Sequence, residues 1–350
     1  MDAQLADTSR SGTGRRLTRP VSVGVVGATG NVGTMMLRVL AERGVPIREL
    51  RAFASSRSAG RTVASGSHEA VVEDLATADP TGLDVALFSA GAERAREHAA
   101  RFVDAGVTVI DNSSAFRMDP GVPLAVPEVN PGALAGSPRL VANPNCSTIQ
   151  LVVALKPILD AAGLEHLHVT TFQAVSGTGQ AAMVELQEQA HGVLESTDVE
   201  PEVYPHPIAF NVLPHCDTFD AHGVTGEERK VQRETRRILD LPDLPVGVTC
   251  VRVPVFNAHS EAVHLRTSRP LAASEARDLL RAAPGIRVLD DPAADAYPTP
   301  LQAAGSDDVW IGRIRADDAD PNGLAMFVVA DNLRKGAATN AVQVLEALLD

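Results

Sequence analysis

VSVGVVGATGNVG, residues 21–33, joins an apolar run to a glycine-rich turn and to the start of a helical pattern. The run VSVGVV predicts a short buried β-strand. Gly27, Gly30 and Gly33 follow with the spacing GxxGxxG, and glycines at such a turn let the backbone approach a pyrophosphate at a helix N-terminus. A tight turn that binds nothing has a similar composition, but the position at the first strand of an alternating pattern favours dinucleotide binding.

The chain beyond this turn alternates strands with helices as far as residue 150. NVGTMMLRVLAERG and AERAREHAARFVDAG read as helices, and LRAFAS, LDVALFSA and VTVI read as the strands that alternate with them. This alternation is typical of α/β proteins with a parallel, doubly wound sheet. We therefore predict an N-terminal Rossmann-like domain.

The pattern changes after residue 150. HLHVTTFQAVS, GVTCVRVPVF and EAVHLRTS are longer runs rich in Val and Thr, which favour a second, α+β domain with a mixed sheet. The last segment, GAATNAVQVLEALLD, reads as a helix that packs back on the first domain. The predicted division is a disordered tail at 1–20, a cofactor-binding domain at 21–150, a second domain at 151–331 and the returning helix at 332–350.

The composition argues against several classes of protein. The 350 residues carry a formal net charge of −13 without a basic stretch interleaved with aromatics, so we expect no nucleic-acid partner. No apolar run reaches the length that spans a bilayer, so we expect no membrane partner. The three cysteines are widely spaced and form no CxxC pair, which argues against a disulfide framework and against a zinc site. These features favour a cytoplasmic protein without a bound metal.

The end of the second predicted strand bears on the kind of dinucleotide. An NAD site usually places Asp or Glu there to bind the ribose 2′-OH, whereas this chain reads FASSRSAG, without an acid. The hydroxyls of Ser55, Ser56 and Ser58 and the guanidinium of Arg57 suit a 2′-phosphate. An ordinary polar loop has similar residues, but the segment favours NADP over NAD.

Cys146 lies in NPNCSTIQ, directly before a helix predicted to begin at Ser147. A free cysteine is usually a small buried hydrophobe, and it becomes a nucleophile only where its surroundings favour the thiolate. The positive end of the helix dipole would lower the thiol pKa, and free N–H groups there could bind an oxyanion. DNSSAFRM, QAVSGTG, PVFNAHSEAV and EERK are further polar stretches at the ends of predicted strands or at a helix start, which makes them candidates for the same site.

Taken together, these stretches resemble the aspartate-β-semialdehyde dehydrogenase family. The similarity runs in order through GATGNVG, RSAG, DNSSAFRM, NPNCSTIQ, FQAVSGTG, FNVLPHCDTF, EERKVQRETRRIL, CVRVPVFNAHSEAV and VADNLRKGAATNAVQ, and covers nearly everything after the first twenty residues. It implies the reversible, NADP-dependent reductive dephosphorylation of β-aspartyl phosphate to aspartate semialdehyde. That reaction belongs to the biosynthesis of lysine and diaminopimelate, threonine, methionine and isoleucine. It also implies a homodimer or homotetramer formed through the second domain.

The resemblance assigns roles to individual residues. Cys146 would form a thioester, His259 would act as acid and base, and Gln173 would position the substrate. The substrate's carboxylate, amino and phosphate groups would be bound, respectively, by Arg252, by Glu227 and by Arg117, Lys230 and Asn145. The cofactor would be bound by Gly27, Thr29, Gly30, Asn31, Val32, Arg57, Ser58, Ser89, Gly91, Ser176, Gly177 and Asn332. Without the resemblance, a structural histidine and a solvated Glu227–Lys230 ion pair are the ordinary interpretations.

Three alternatives compete with this interpretation. N-acetyl-γ-glutamyl-phosphate reductase performs the same chemistry, but its motif typically has Gly before and Tyr after the cysteine, where this chain has Asn145 and Ser147. Glyceraldehyde-3-phosphate dehydrogenase has another cysteine motif and an acid of the NAD type. A non-catalytic nucleotide-binding regulator should lack a reacting group, and this chain lacks none. The departures from the family pattern are SGTG in place of SGAG and Cys216 in PHCD; we read Cys216 as a core residue and His215 as structural.

Overall fold

One parallel sheet organises the first half of the chain. The computed structural model describes residues 17, 19–197 and 199–349. The elements of the first half are β1 (Val21–Val26), α1 (Asn31–Glu42), β2 (Ile47–Ala54), β3 (Thr62–Ser65), β4 (His68–Asp74), β5 (Val85–Phe88), α2 (Ala92–Asp104), β6 (Thr108–Asp111) and β7 (Leu140–Ala142). The strands lie in the order β3-β4-β2-β1-β5-β6-β7, and all neighbours are parallel except β3 and β4. The order in which strands are added to the sheet switches from one side of β1 to the other at β5, and doubly wound sheets bind their ligands at such a switch point.

The edge hairpin β3–β4 was not predicted from the sequence pattern. Its strands mix charged, polar and apolar residues, so no clean alternation marks them. Gly66 turns the hairpin with a φ of +59°, a conformation that glycine adopts without a Cβ penalty. The Ser65 hydroxyl donates to the Leu37 carbonyl at 2.7 Å, which ties the hairpin to α1.

A mixed sheet organises the second half. Its elements are α3 (Cys146–Ala162), β8 (His166–Gln173), α4 (Gln180–Glu195), α5 (Gly226–Ile238), β9 (Val246–Arg252), β10 (His259–Arg266), α6 (Ala273–Ala282), β11 (Ile286–Val288), α7 (Pro300–Ala303), β12 (Val309–Ala316), β13 (Gly323–Ala330) and α8 (Thr339–Leu349). The strand order is β11-β12-β13-β10-β8-β9, with parallel pairs at β8–β9 and β11–β12. A parallel α/β sheet followed by a mixed sheet confirms the predicted fold class.

Each sheet has its own apolar core. Residues of α3, α5 and α6, among them Leu155, Val231 and Leu280, pack against the inner face of the mixed sheet. In the first sheet every residue of β1 is buried, and α8 packs with α1 on one face of it. Phe88 and Phe102 pack edge to face in the core that lies under α2.

The chain ends differ from the predictions in detail. The expected tail at 1–20 lies mostly outside the described residues, but Leu17 is buried in the core beside α1 and α8. The helix predicted over 332–350 begins only at Thr339, and Asp350 is not described. A π-helical turn, Arg334–Ala338, precedes it because the Asp331 carboxylate accepts the N–H groups of the residues that open this turn. Within the described residues, no helix combines the length and apolarity needed to cross a bilayer.

Candidate active site

Cys146 is the first residue of α3, one position earlier than the sequence pattern predicts. Asn145 caps the helix, and its side-chain oxygen accepts the N–H groups of Ser147 and Thr148 at 3.0 and 3.2 Å. This cap uses two of the N–H groups that were expected to be free for an oxyanion. The N–H of Cys146 itself has no acceptor among the described residues, so it remains available. The π-helical turn lies against the thiol, because a Cβ at Gly336 would fall 2.9 Å from the Cys146 Cβ.

The surroundings of Cys146 favour the thiol and not the thiolate. Burial is the main cause that raises its pKa, to about 12, and the carboxylate of Glu227 adds to the effect. Arg117, Arg252 and the Ser147 N–H act in the opposite direction but are outweighed. The Ser147 N–H at the helix start does lower this pKa, as expected, but burial outweighs it, so the net shift is upward. The proton must leave the sulfur as it attacks.

His259 opens β10 and has no exposed surface. The Ala174 N–H donates to its Nδ1 at 3.0 Å, so the ring proton resides on Nε2 by assignment from this hydrogen bond. Burial lowers the pKa of His259 well below its ordinary value and Arg252 lowers it further, so the ring is neutral. Nε2 has no partner among the described residues, and a Cβ at Gly177 would fall 3.1 Å from it. Only Gly177, which has no side chain, lies between His259 and the cavity at this point.

Two buried arginines face the same space. One N–H of Arg252 donates to the Ala174 carbonyl at 2.8 Å, while its Nε has no partner in the described chain. Arg117 is held more fully: it donates to the Asn112 and Asn143 carbonyls at 2.8 and 2.9 Å and to Glu234 at 3.1 Å. Each guanidinium keeps N–H groups that the protein does not use.

Glu227 joins three other predicted residues in one buried network. Its carboxylate accepts from Asn145 at 2.8 Å, from Gln173 at 3.3 Å and from Lys230 at 3.1 Å. Burial acts to raise the pKa of Glu227, but Lys230 and the hydrogen bonds outweigh it and hold the pKa below its ordinary value. Lys230 also donates to Asp217 at 2.8 Å. The pair is more than a solvated ion pair on a helix face, because the carboxylate is buried and ionised within reach of Gln173.

A cavity of about 260 Å³ is lined by all five residues predicted to bind the substrate. The predicted residues in its wall are Val32, Arg117, Asn145, Cys146, Gln173, Ser176, Gly177, Glu227, Lys230, Arg252 and Asn332. His259 does not line it and reaches it only past Gly177. Ser176 and Asn332 are hydrogen-bonded to each other at 3.0 Å. Cationic, anionic and thiol groups therefore converge on one small space.

A second cavity, of about 220 Å³, lies where β1, β2 and β5 end. Of the residues predicted for the cofactor, Gly27, Thr29, Gly30, Arg57 and Ser89 line it. Two other residues predicted for the cofactor, Ser58 and Asn31, are not in the wall of this cavity. Ser58 accepts a hydrogen bond from the Thr29 hydroxyl at 3.3 Å, and Asn31 donates to the Met183 sulfur at 3.7 Å. Gly91 precedes α2 with a φ of +87° and is not in the wall of this cavity.

The second cavity fits a dinucleotide phosphate. A Cβ at Gly27 would fall 2.3 Å from the Ser89 carbonyl oxygen, and one at Gly33 would fall 2.1 Å from the Gly27 carbonyl oxygen. Only glycine permits this close turn. No side chain caps α1 at Gly30, so N–H groups of its first turn are left for an anion. The wall at the end of β2 contains Arg57 and no acid.

Sequence reasoning missed several residues of both cavities. Arg94 of α2 lines the second cavity beside Arg57, yet its motif reads as an ordinary exposed helix. Asn112, Ser114 and Gly336 line the first cavity. Asn112 and Ser114 lie in the DNSSAFRM stretch that the sequence did single out, whereas Gly336 is brought to Cys146 only by the π-helical turn.

Comparisons with known proteins agree with this arrangement. Residues 22–137 match the family described as semialdehyde dehydrogenase, NAD binding domain, and residues 155–335 match semialdehyde dehydrogenase, dimerisation domain. The chain is 51% identical to aspartate-semialdehyde dehydrogenase of Streptomyces akiyoshiensis over 93% of this chain and 97% of that protein. It is similar to a crystal structure of aspartate semialdehyde dehydrogenase II complexed with ASA from Vibrio cholerae, with a TM-score of 0.92, 45% identity and coverage of 95% and 99%. A structure of the Candida albicans enzyme with NADP has a TM-score of 0.74 at 26% identity, with coverage of 94% and 98%.

Proposed function

The chain belongs to the aspartate-semialdehyde dehydrogenase family, and we propose that it catalyses the reversible, NADP-dependent conversion of β-aspartyl phosphate to aspartate semialdehyde and phosphate. The observation that carries the proposal is the convergence of Cys146, Glu227, Arg252 and Arg117 on one cavity. A thiol, an ionised carboxylate and two guanidiniums match an acyl carbon, an ammonium, a carboxylate and a phosphate. The proposed setting is the biosynthesis of lysine, threonine, methionine and isoleucine.

The substrate is held by complementary charge. Arg252 binds its carboxylate through the N–H groups that the protein leaves unused, since a planar guanidinium suits a carboxylate. Glu227, ionised in its buried network, binds the ammonium. Arg117 and Lys230 bind the phosphate beside Asn145. Gln173 donates into the same network and fixes the substrate's acyl carbon near Cys146.

The thioester forms on Cys146. The sulfur attacks the acyl phosphate carbon, the carbon–oxygen bond to phosphate breaks, and phosphate leaves toward Arg117 and Lys230. The Cys146 N–H, free of other acceptors, stabilises the developing oxyanion. NADPH bound in the second cavity would supply the hydride that reduces the thioester carbonyl. Sulfur then leaves carbon as the aldehyde forms, and the thiol recovers its proton.

His259 acts as acid and base, and the hydrogen bond at Nδ1 determines which ring nitrogen carries the proton in each role. With Nδ1 accepting from Ala174, the neutral ring carries its proton on Nε2 and can donate a hydrogen bond to the tetrahedral oxygen; it can transfer a proton only after it has taken one up from Cys146. Accepting a proton from Cys146 requires the other tautomer, in which Nδ1 no longer accepts from Ala174. Because the pKa of His259 is lowered, the neutral ring is available through the whole neutral range.

Cofactor choice and assembly complete the proposal. Gly27, Thr29, Gly30 and Ser89 would hold the dinucleotide, and Arg57 would select NADP through its 2′-phosphate. We propose the domain division at residue 150, with residues 21–150 binding the cofactor. Exposed apolar side chains between α4 and α5, including Phe210 and Phe219, support a homodimer formed by the second domain.

The test is a two-substrate assay of the purified full chain. Aspartate semialdehyde and N-acetylglutamate semialdehyde are each supplied with phosphate and with NADP⁺ or NAD⁺, and cofactor reduction is followed by absorbance. We expect turnover of aspartate semialdehyde with NADP⁺. Turnover of the acetylated substrate alone would replace the proposal with the reductase alternative, and cofactor binding without turnover of either would favour a non-catalytic protein.

A further inference from the structure

A fully buried polar pair lies one layer beneath the active site, and the proposed reaction does not use it. Glu261 of β10 and Gln150 of α3 have no exposed surface. Neither carboxyl oxygen of Glu261 and neither amide atom of Gln150 has a hydrogen-bond partner among the residues that the structure describes. Buried polar groups are rarely left without partners, because each keeps its full desolvation cost. A carboxyl and an amide unpaired on facing elements therefore require an explanation.

Both residues share an element and a face with a reacting residue. Glu261 follows His259 by two positions in β10, so the two side chains lie on the same side of the sheet. Gln150 follows Cys146 by four positions, about one helical turn, in α3. Glu261 pairs in register with Thr171 of β8, whose hydroxyl accepts a hydrogen bond from Gln173 at 3.3 Å. This layer thus connects the three elements that carry the nucleophile, the histidine and the glutamine.

The environment of the Glu261 carboxyl favours its neutral form. Burial raises its pKa well above the ordinary value, and the Gln150 side chain, close enough to act on the carboxyl as a hydrogen-bond partner although their present orientation leaves the atoms unpaired, lowers it by less. Its neighbours in adjacent strands are the uncharged Thr171 and Val328. A neutral carboxyl has one O–H donor, and an amide offers both an acceptor and donors. The last torsion of each side chain is soft, so a small rotation joins them.

We propose that Glu261 and Gln150 form an uncharged hydrogen-bonded clasp between β10 and α3, and that this clasp makes Glu261 a positioning residue for His259 relative to Cys146. The inference rests on the proposed function in one respect, since it takes Cys146 and His259 as the reacting pair. A negative charge on Glu261 would oppose formation of the Cys146 thiolate. A neutral clasp holds α3 to β10 without adding that repulsion.

Three variants test the clasp. Glu261→Gln keeps an uncharged donor and acceptor, so we expect kcat to stay within about threefold of the wild type. Glu261→Leu and Gln150→Leu remove the bond, and we expect each to lower kcat by about tenfold to a hundredfold, because small misplacements of reacting groups are costly. KM for aspartate semialdehyde and the NADPH dissociation constant, measured by fluorescence, should hardly change. The double Leu variant should lose no more than either single variant.

A matched control separates positioning from general stability. Val263→Ala removes a buried side chain from the same strand and the same face, two residues farther from His259. It should lower the urea midpoint as much as the Leu variants while kcat is retained. Wild-type kcat in Glu261→Leu and Gln150→Leu would overturn the clasp. So would a loss in Glu261→Gln as large as in Glu261→Leu, since that would show that a carboxyl charge or a transferable carboxyl proton is needed.

An infrared measurement keeps the inference separate from the proposed function. At neutral pH the wild type should show the carbonyl band of a protonated carboxyl, and Glu261→Gln should lack it. This holds even if the protein turns over no aspartate semialdehyde, in which case the proposed function fails while the neutral carboxyl stands. Absence of the band from the wild type would overturn the clasp whatever the activity.

Discussion

Two helices begin where strands of the first sheet end, and they satisfy their first turns in opposite ways. α1 follows β1 through Gly30, and no side chain caps it. α3 follows β7, and Asn145 accepts the N–H groups of both Ser147 and Thr148. The open start leaves donors for an anion from solution, whereas the capped start satisfies its donors internally and holds one cysteine in place. A helix start is therefore a binding group or a support, depending on its cap.

The comparison also shows what a helix start cannot do alone. At α1 the cavity wall adds Arg57, so dipole and side chain act together on an anion. At α3 the thiol is enclosed and Glu227 opposes a second negative charge, so the pKa of Cys146 rises despite the dipole. Reactivity at Cys146 must come from proton removal during attack and from bound substrate, and not from a resting thiolate.

The largest effect is expected at the capped helix. Cys146→Ser should reduce turnover by about a thousandfold or more, because an alkoxide is harder to form and an oxygen ester is a poorer hydride acceptor. NADPH affinity, measured by fluorescence titration, should be unchanged because α1 is untouched. Cys216→Ala, at a cysteine buried outside the first cavity, serves as the control and should keep activity. Comparable turnover in Cys146→Ser and in the wild type would show that Cys146 is not the nucleophile.

The next effect is expected at the open helix. A Cβ at residue 33 would collide with the backbone of Gly27, so Gly33→Ala should force the turn apart. We expect NADPH affinity to fall by about tenfold to a hundredfold, the value of one or two charge-assisted hydrogen bonds. Isothermal titration gives the affinity. Gly132→Ala, at a glycine with free space and no positive φ, is the matched control, and equal losses in both variants would contradict the role of the turn.

The same two helices mark what the sequence could predict. Glycine spacing reports local geometry, so the turn at α1 could be predicted from its residues. NPNCSTIQ placed Cys146 beside a helix start, one residue off, and its role as nucleophile came from the family resemblance. The π-helical turn that brings Gly336 to Cys146 could not be predicted, because it depends on Asp331 accepting N–H groups within the fold. The raised pKa of Cys146 was missed for a related reason: enclosure is a property of the assembled domains. Arg94 likewise becomes a cavity residue only when β2 and α2 meet.

A variant of Arg57 tests whether a side chain adds to the anion binding of the uncapped start of α1. Arg57→Ala should lower NADP⁺ preference over NAD⁺ by about tenfold, since one charge-assisted contact to the 2′-phosphate is lost. The ratio of kcat/KM for the two cofactors measures it. Arg38→Ala changes an exposed arginine on α1 outside the cavity and should leave the ratio alone. An unchanged ratio in Arg57→Ala would mean that another group selects NADP⁺ over NAD⁺, and Arg94 in the same cavity wall would be the first candidate.

Alkylation tests the raised pKa at α3. With the pKa of Cys146 at about 12, the thiolate fraction should rise about tenfold per pH unit from pH 7 to 10 without a plateau. Glu227→Gln removes the second cause of the shift, so the pKa should fall and iodoacetamide should label Cys146 several-fold faster at each pH, about threefold or more. Mass mapping assigns the label and should find it on Cys146 before the more deeply buried Cys216 and Cys250. Glu165→Gln, at an exposed carboxylate, is the control, and a plateau below pH 8 in the wild type would show a stabilised thiolate instead.

The smallest effect comes from exchanging the caps. Asn145→Gly gives α3 the N-cap residue of α1, and Asn145→Ala removes the cap oxygen without that flexibility. Both lose the hydrogen bond to Glu227, so their difference isolates the cap. Because glycine at an N-cap is better than alanine, we expect Asn145→Ala to be less stable than Asn145→Gly by about 0.5–1 kcal/mol in urea unfolding. Equal stabilities would mean that the capping bonds to Ser147 and Thr148 contribute little, and that α3 is held mainly by its burial in the core of the mixed sheet.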